Sequence, residues 1–419
     1  MAMTRDFWSC ESDVRLDAPR LSRRSVLAGG AAGLISWMAG GSALAQIAMD
    51  PKRTRNDVLV VLFLRGGADG LAMVAPIEDD HFRRARPTLA MNKAAAKPLA
   101  DGFALSPQLE MLHKYWEQKQ MAIVHACGSG DQTRSHFEAM RAMEQGRNDA
   151  TELSGGGWIT RHLAVTPGAS SPFRAIALEG ILPESLSGSL SALAIDSLDQ
   201  FRLKEDSKVY REALTRLYGS PSDQLAVAGK ETLAMLKTLD AKNPADSRPE
   251  NGAVYGENGL AQALRQVAYL IRQDIGMEVA CVSSYGWDSH VVQDQILGVL
   301  LPDLGNAIDA FMTDLGPEMG RVTVMVQTEF GRRLSENSGF GTDHGRGGAL
   351  FAFGAGVQGG KIYGDWPGLG PDQLDEVGDL RVVNDYRDVF AEALAVRMGN
   401  PDVNAVFPNR PGKRFGMFV

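Results

Sequence analysis

The chain has 419 residues, of which 44% are hydrophobic and 22% charged, and its formal net charge is −8. This composition is that of a globular protein long enough for one large domain or two smaller ones. The acidic balance argues against a nucleic-acid-binding protein, which needs a basic face. An aromatic content of 7% also leaves little material for stacking bases, so we expect no nucleic-acid partner.

The first 45 residues have the pattern of an export signal. The arginine pair Arg23-Arg24 precedes a weakly apolar, Gly/Ala-rich run that ends in a small-x-small cleavage site at 43–45. The Ser-Arg-Arg core resembles a twin-arginine signal, which predicts export of the folded protein by the Tat machinery of a bacterium. We therefore expect a periplasmic or extracellular protein with no stable membrane span after cleavage. An uncleaved anchor is the alternative.

Short apolar runs rich in β-branched residues alternate with helical patterns along the rest of the chain. The runs predict strands buried on both faces, and they are VLVVLFL (58–64), MAIVHAC (121–127), MEVACVSS (277–284), VTVMVQT (322–328) and ALFAFGAG (349–356). Apolar residues at helical spacing predict helices over 106–119, 136–146, 259–276, 295–316 and 385–400. The alternation predicts an α/β fold with a central, mostly parallel sheet and helices on both faces.

Residues 57–419 are predicted to form a single α/β domain. Residues 165–258 depart from the alternation, and we interpret them as an insertion of short strands and helices that forms a lid or flank. Cys127 and Cys281 each lie at the end of an apolar run and are expected to be buried thiols. A disulfide between them would require the two strand ends to lie close together.

Acids and histidines follow the apolar runs, where ligands bind in open α/β sheets, at the carboxyl ends of the strands. The candidate metal ligands are Asp69, Asp288, His290, Glu329, Asp343 and His344. Carboxylate oxygens and imidazole nitrogens suit Zn²⁺ or another divalent ion, and neighbouring glycines let the backbone approach. Zinc is the first expectation, calcium and manganese are alternatives, and the sequence leaves one or two ions open.

Each candidate taken alone also has a purely structural interpretation. Asp69 lies between glycines, as a turn residue would, and Asp288 could cap the helix that follows it. Glu329 and Arg332 could form a surface ion pair. The stretch GTDHGRGG (341–348) could be a flexible turn that happens to contain a histidine. Several such residues at one predicted sheet edge favour a site over these separate explanations.

The segment after the second predicted strand supplies candidate catalytic residues. Ser135, at a predicted helix start, could be a nucleophile whose pKa a bound metal would lower. Arg134 could hold an anion bidentately, and His136 could assist proton transfer. Alternatively, Ser135 and Glu138 are simply the two members of a capping box.

Six longer stretches together resemble a known bacterial family. They are VLFLRGGADGL, AIVHACGSGDQTRSHFEA, GWDSH, TEFGRR, TDHGRGG and GGKIYGDWPGL. They resemble the domain-of-unknown-function family 1501, whose members are typically exported by the twin-arginine route, and the likeness runs from about residue 57 to the C-terminus. The family is placed in the alkaline phosphatase/sulfatase superfamily, which implies an α/β fold with metal ligands at the strand ends.

The resemblance also implies roles for particular residues. Asp69 fits the metal-binding aspartate after the first strand, and Ser135 is nearest to the nucleophile position, with His136 as the other register. Asp288 and His290 resemble an Asp and His that bind the first metal, although their spacing is narrower than usual, and His344 fits the late histidine of the same metal. Where the superfamily commonly has Asp-His, this chain has Glu329 and Phe330, and phenylalanine cannot ligate a second ion. No cysteine stands in a sulfatase maturation motif.

Two hypotheses about function follow. The first is an exported metal-dependent hydrolase of a phosphate or sulfate ester or a related anionic bond, acting on a small molecule or a polymer. The alternative is a catalytically altered relative that serves as a binding or assembly protein of the cell envelope. The altered TEFG segment and the spacing of Asp288 and His290 favour the alternative, so the sequence leaves open whether the protein is an enzyme.

Overall fold

The computed structural model of the chain describes residues 57–148, 156–166, 173–189, 191–198 and 248–419. The predicted signal at 1–45 and residues 199–247 of the predicted insertion lie outside the described residues.

The strands of the described residues are numbered along the chain. They are β1 (Val58–Leu64), β2 (Val74–Ala75), β3 (Lys97–Pro98), β4 (Ala104–Leu105), β5 (Met121–Gly128), β6 (Ala175–Ala177), β7 (Ala192–Ala194), β8 (Val279–Ser284), β9 (Val322–Gln327), β10 (Arg332–Glu336), β11 (Thr342–His344), β12 (Gly348–Phe353), β13 (Lys361–Tyr363) and β14 (Asn384–Asp385). Nine of them form one central sheet, while β2, β4 and β3 form a small sheet and β10 pairs with β11.

The central sheet has the order β13-β5-β12-β9-β1-β8-β6-β7, with β14 also pairing with β5. All of its pairings are parallel except those of β12, which runs antiparallel to both β5 and β9. The predicted central, mostly parallel sheet is therefore confirmed. The five predicted strands correspond to β1, β5, β8, β9 and β12, and sequence periodicity carries no information about the reversed direction of β12.

Helices cover both faces of this sheet, as predicted. They are α1 (Gly70–Met73), α2 (Asp80–Ala85), α3 (His113–Glu117), α4 (His136–Glu144), α5 (Trp158–Val165), α6 (Gly259–Arg272), α7 (Gln293–Leu315), α8 (Tyr386–Val396) and α9 (Val403–Val406). Alternate side chains of β1 enter different cores. Val60 and Leu62 pack with α6 and α7, whereas Leu59 and Val61 pack with α5 and α8. Burial on both faces explains why β1 is an unbroken apolar run.

One helical stretch, Gln293–Arg321, is long and apolar enough to cross a membrane by length and composition alone. Half of its most apolar window is buried inside the fold, because α7 packs on α6 and on the sheet. This is the environment of a core helix in a globular domain.

The first part of the predicted insertion at 165–258 contains two short strands. Residues 175–177 and 192–194 are β6 and β7, which extend the central sheet beyond β8 in parallel. These strands are only three residues long, too short for a recognisable apolar run. The predicted helix at 106–119 is also divided, because a 3-10 segment at Pro107–Leu112 precedes α3.

Cys127 and Cys281 are both free and buried. Burial raises the pKa of each thiol, which keeps both cysteines protonated and unreactive. The predicted buried thiols are confirmed, and no disulfide joins them.

The sheet brings the candidate residues to one edge. The parallel strands β1, β5, β8 and β9 end at this edge, and the antiparallel β12 begins there. His136 therefore follows β5, Asp288 follows β8, Glu329 follows β9 and His344 lies just before β12. Because β12 runs in the opposite direction, His344, which precedes β12, lies at the same edge as the residues that follow the parallel strands.

Candidate metal centre

Three histidines converge on one carboxylate oxygen, Oδ1 of Asp288. The Nε2 atoms of His290 and His344 each lie 3.1 Å from this oxygen, and Nε2 of His136 lies 3.4 Å from it. The Nε2 atoms of His290 and His344 are 2.8 Å apart. We call these four residues the histidine cluster.

The other ring nitrogen of each histidine faces an oxygen acceptor. Nδ1 of His136 is 2.7 Å from Oε1 of Glu329, and Nδ1 of His344 is 2.8 Å from the carbonyl oxygen of Arg134. Nδ1 of His290 lies 3.4 Å from Oδ1 of Asp343. A carbonyl or carboxylate oxygen only accepts, so a neutral imidazole whose Nδ1 donates to that oxygen presents an Nε2 lone pair to the cluster. Metal-binding histidines in proteins are held in the same way.

This arrangement suits a positively charged species. With both Nδ1 atoms protonated, the facing Nε2 lone pairs of His290 and His344 repel each other unless a proton or a cation lies between them. Nε2 of His136 is buried and has no hydrogen-bond partner. Burial lowers the pKa of His344, whereas the hydrogen bond to Glu329 raises the pKa of His136. The donors therefore fit a divalent cation, and a proton on His136 would compete with it.

Asp288 is oriented by a buried guanidinium. Nη2 of Arg332 donates to Oδ1 of Asp288 at 2.7 Å. Arg332 also donates to the carbonyl oxygens of Gly67 and Thr342, at 2.6 and 2.9 Å. Burial alone would raise the pKa of Asp288, but the hydrogen bonds with Arg332 and His344 and the charge of Arg332 outweigh burial and lower this pKa to about 2. Asp288 is consequently ionised and available as an oxygen ligand at neutral pH.

Glycines allow the loops of the site to come together. A Cβ atom on Gly341 would lie 2.2 Å from the carbonyl oxygen of His290, so only glycine fits there. Gly66 has a φ of +123°, and a Cβ atom on it would lie 2.6 Å from the backbone nitrogen of Asp288. The glycines around His344 are therefore a packing requirement of the site rather than a sign of a loose turn.

The backbone is strained beside the histidines. Arg134, Val292 and Phe340 have φ values of +53°, +44° and +58°, in the left-handed region that costs energy for side chains of this kind. The conformation of Arg134 accompanies the carbonyl that holds His344. Strain of this sort is concentrated at functional sites in proteins.

Two predicted ligands lie behind the histidines instead of among the converging atoms. Glu329 is buried, and its carboxylate accepts hydrogen bonds from His136 and from the backbone nitrogen of Gly66, the latter at 2.9 Å. Asp343 faces Nδ1 of His290 and accepts a hydrogen bond from Asn337 at 3.0 Å. Both carboxylates orient histidines and so support ligands. Because Glu329 and Arg332 are both buried, the surface ion pair is excluded.

Asp69 is not part of the histidine cluster. Its buried carboxylate forms a bidentate pair with Arg86, with distances of 2.6 and 3.1 Å, and accepts a hydrogen bond from Nε2 of Gln293 at 2.7 Å. It also caps α1 through the backbone nitrogen of Leu71. These contacts occupy both oxygens with protein donors, so we expect a structural role for Asp69.

The predicted catalytic residues lie beside the centre. The guanidinium of Arg134 is paired with the buried Asp379 at 2.6 Å, so part of its hydrogen-bonding capacity is already used. Nε2 of His136 points into the cluster. Ser135 precedes α4 as its N-cap residue, but its side chain makes no capping hydrogen bond, so the predicted capping box with Glu138 does not form. Its hydroxyl is therefore not committed to the helix.

Phe330 forms an apolar wall against two ligands. Its ring stacks on His136 with centroids 4.8 Å apart and lies 5.0 Å from the ring of His344. Among the described residues, the group whose His or carboxylate atoms are mutually close enough to hold an ion is His136, Asp288 and His344, with atoms within 4.8 Å of one another. This group is a candidate site for one ion.

Arg332 is the functional residue that sequence reasoning left unassigned. In the sequence it is the first arginine of TEFGRR, three residues after Glu329, with which it could form a surface ion pair. The sequence signal for a role of Arg332 is that Glu329 and Arg332 follow a strand that is buried on both faces. Charged residues at such a position face the edge of the sheet and not open solvent. Its contacts to three separate segments, at Gly66 and Gly67, at Trp287 and Asp288, and at Thr342, could be found only from the fold.

The protein is a mixed α/β protein. At the carboxyl edge of its sheet lies a cluster of His and Asp side chains that could hold a metal ion. Residues 194–400 match the model of a family described as "Protein of unknown function (DUF1501)", which supports the family resemblance of the sequence. The match covers just under half of the chain. No curated protein matches the chain in sequence.

Several solved structures are distantly similar to this chain. The alkaline phosphatase of the Antarctic bacterium TAB5 is 13% identical with a TM-score of 0.29, covering 72% of this chain and 93% of that one. A variant of that enzyme with Mg bound is 12% identical with a TM-score of 0.31, covering 72% and 92%. Ps i-CgsB in complex with a neocarrahexaose is 10% identical with a TM-score of 0.38, covering 84% and 74%. The sequence identities and TM-scores are low, and the activity in the name of each solved structure is a property of that protein alone.

Proposed function

We propose that the histidine cluster binds one divalent cation, with zinc as the preferred ion. His136, Asp288 and His344 are the first three ligands, and Nε2 of His290 is the fourth donor. The observation that carries this proposal is the convergence of three Nε2 atoms on Oδ1 of Asp288, while every Nδ1 faces an oxygen. Imidazole nitrogen with one carboxylate oxygen is a donor set that suits zinc better than calcium.

The chemistry proposed for this centre is hydrolysis of a phosphate or sulfate ester or a related anionic bond. A bound divalent cation polarises an ester oxygen and lowers the pKa of a nearby hydroxyl or water. Ser135 is the candidate nucleophile, because its sequence neighbours Arg134 and His136 both contact the cluster and its hydroxyl caps nothing. The free backbone N–H groups of the first turn of α4 would stabilise negative charge on the substrate.

The family resemblance and the predicted twin-arginine signal support an exported protein. A folded zinc-binding protein is suited to this route, because the ion can be bound before transport. We therefore propose a periplasmic or extracellular location, with the Tat machinery as the export partner and an anionic small molecule or polymer as the substrate.

The test is elemental analysis of the full chain purified without chelator, beside Asp288→Asn and His344→Ala. We expect about one equivalent of zinc in the wild type and a loss of at least tenfold in occupancy in both variants. Val254→Ser, at an exposed position remote from the cluster, is the control and should keep its zinc. Absence of any divalent metal from a wild type that also fails to take up added zinc would overturn the metal centre.

Turnover of aryl phosphate and aryl sulfate esters by the zinc-loaded protein then tests hydrolysis, with Ser135→Ala as the diagnostic variant. A specific observation favours the alternative, a catalytically altered binding or assembly protein. The guanidinium of Arg134, predicted to hold the anion, is taken up by Asp379. A stoichiometric zinc site with no turnover of either ester, unaffected by Ser135→Ala, would support that alternative.

A further inference from the structure

Four exposed apolar residues either directly follow a histidine of the cluster in the chain or belong to segments that are hydrogen-bonded next to one. Their exposed fractions are 82% for Phe137, 57% for Val291, 42% for Val292 and 59% for Phe340. We call these four residues the apolar rim. Single exposed apolar residues are common on protein surfaces, so their meaning depends on how they are held and what they adjoin.

Three of the four residues form one patch on the His290 side. The backbone nitrogens of Val292 and Gln293 donate to the carbonyl oxygens of Gly339 and Phe340, at 2.9 and 2.8 Å. Cγ1 of Val291 lies against Gly339, 2.9 Å from where a Cβ atom on that glycine would be. The patch thus directly follows His290 in the chain, while Phe137 follows His136.

The fold holds this patch at an energetic cost. Val292 and Phe340 both have left-handed backbone conformations, and a β-branched residue is especially unfavourable there. Neither residue gains a buried environment in return, since both remain exposed. Because no burial within the fold offsets the conformational energy of Val292 and Phe340, their side chains are expected to contact a molecule outside the fold.

We infer that the apolar rim binds the apolar part of an amphiphilic anionic substrate, an alkyl or aryl phosphate or sulfate ester. This inference rests on the proposed function, which places the anionic group at the metal. An occupant with an anionic head and an alkyl or aryl body is the chemistry that engages both the cation and the rim.

The test uses phosphonates, which bind without being hydrolysed. Calorimetry of the zinc-loaded full chain would compare octylphosphonate with methylphosphonate. We expect the octyl compound to bind at least about tenfold more tightly, because several of its methylene groups would be transferred from water to the apolar rim. Phe137→Ser and Val291→Ser should each reduce this preference severalfold while leaving methylphosphonate affinity and zinc content unchanged.

Val254→Ser is the matched control, because Val254 is 83% exposed and therefore as exposed as Phe137. Its neighbour Tyr255 bonds Asp314, near the end of α7 opposite Val292, so roughly 30 Å of helix separates it from the rim. Equal affinity for the two phosphonates, or an equal effect of Val254→Ser, would overturn the inference. Binding of octylphosphonate without ester turnover would refute hydrolysis alone, and absence of zinc would refute the centre itself.

Discussion

Nδ1 of His136 and Oε1 of Glu329 are 2.7 Å apart, although the two residues come from different loops at the sheet edge, one after β5 and one after β9. The buried carboxylate fixes both the ring orientation and the tautomer of this histidine. His136 can therefore present its Nε2 lone pair to the cluster without any rearrangement. Outer carboxylates of this kind contribute to metal affinity even though they never touch the ion.

Replacing this carboxylate should weaken the metal centre without removing a ligand. In Glu329→Gln the amide can present its NH₂ group to Nδ1 and so favour the wrong tautomer of His136. We expect zinc affinity to fall by about 10- to 100-fold, measured by titration against a competing chelator. Glu138→Gln, an exposed substitution on the same helix, should bind zinc like the wild type. Unchanged affinity in Glu329→Gln would show that the negative charge of Glu329 does not contribute to metal binding.

Asp69→Asn distinguishes a structural acid from a ligand. The substitution leaves the buried Arg86 without its bidentate partner, which should lower the free energy of unfolding by about 3 kcal/mol or more. Zinc stoichiometry of the folded protein should nevertheless stay at the wild-type value. Denaturant unfolding and elemental analysis of the same preparation check both statements, and loss of zinc from a folded Asp69→Asn protein would restore the ligand role predicted from sequence.

Sequence reasoning located the site because polar residues after buried strands must meet where parallel strands end. Asp288, His290 and His344 were found in this way, and so was the sheet that carries them. The local sequence pattern does not distinguish the residues of the histidine cluster from the other three predicted ligands. Asp69, Glu329 and Asp343 also follow strands or flank glycines. Only the tertiary contacts of each carboxylate, with Arg86, His136 and His290, decide between the roles.

His125 gives a pH dependence of stability that is separate from the metal centre. Its ring is fully buried in β5, with Nε2 2.9 Å from the carbonyl oxygen of Val74 and Nδ1 accepting from the backbone nitrogen of Ala126. Burial lowers the pKa of His125 from 6.5 to about 4. Between these values the unfolded chain binds the proton and the folded chain does not, so stability is complete above pH 6.5 and falls towards pH 4. This loss amounts to about 3 kcal/mol.

Denaturant unfolding of the chelator-treated protein at several pH values between 4 and 7 measures this loss. His125→Gln should be less stable than the wild type at pH 7, because the amide packs poorly, yet it should lose about 3 kcal/mol less on acidification. His81→Gln, at an exposed position, should keep the wild-type slope. An identical slope in His125→Gln and the wild type would assign the pH dependence to other groups.

Val292 allows the strain beside the centre to be measured directly. Asparagine tolerates its φ and ψ of 44° and 43° far better than valine does, and the hydrogen bond from the backbone nitrogen to Gly339 would be retained. Val292→Asn should therefore raise the free energy of unfolding by about 1 kcal/mol and reduce the preference for octylphosphonate. Val291→Asn, whose backbone is not left-handed, should lose the same preference without becoming more stable. If Val292→Asn were less stable than the wild type, the left-handed backbone would not be a strain that the apolar rim imposes on the fold.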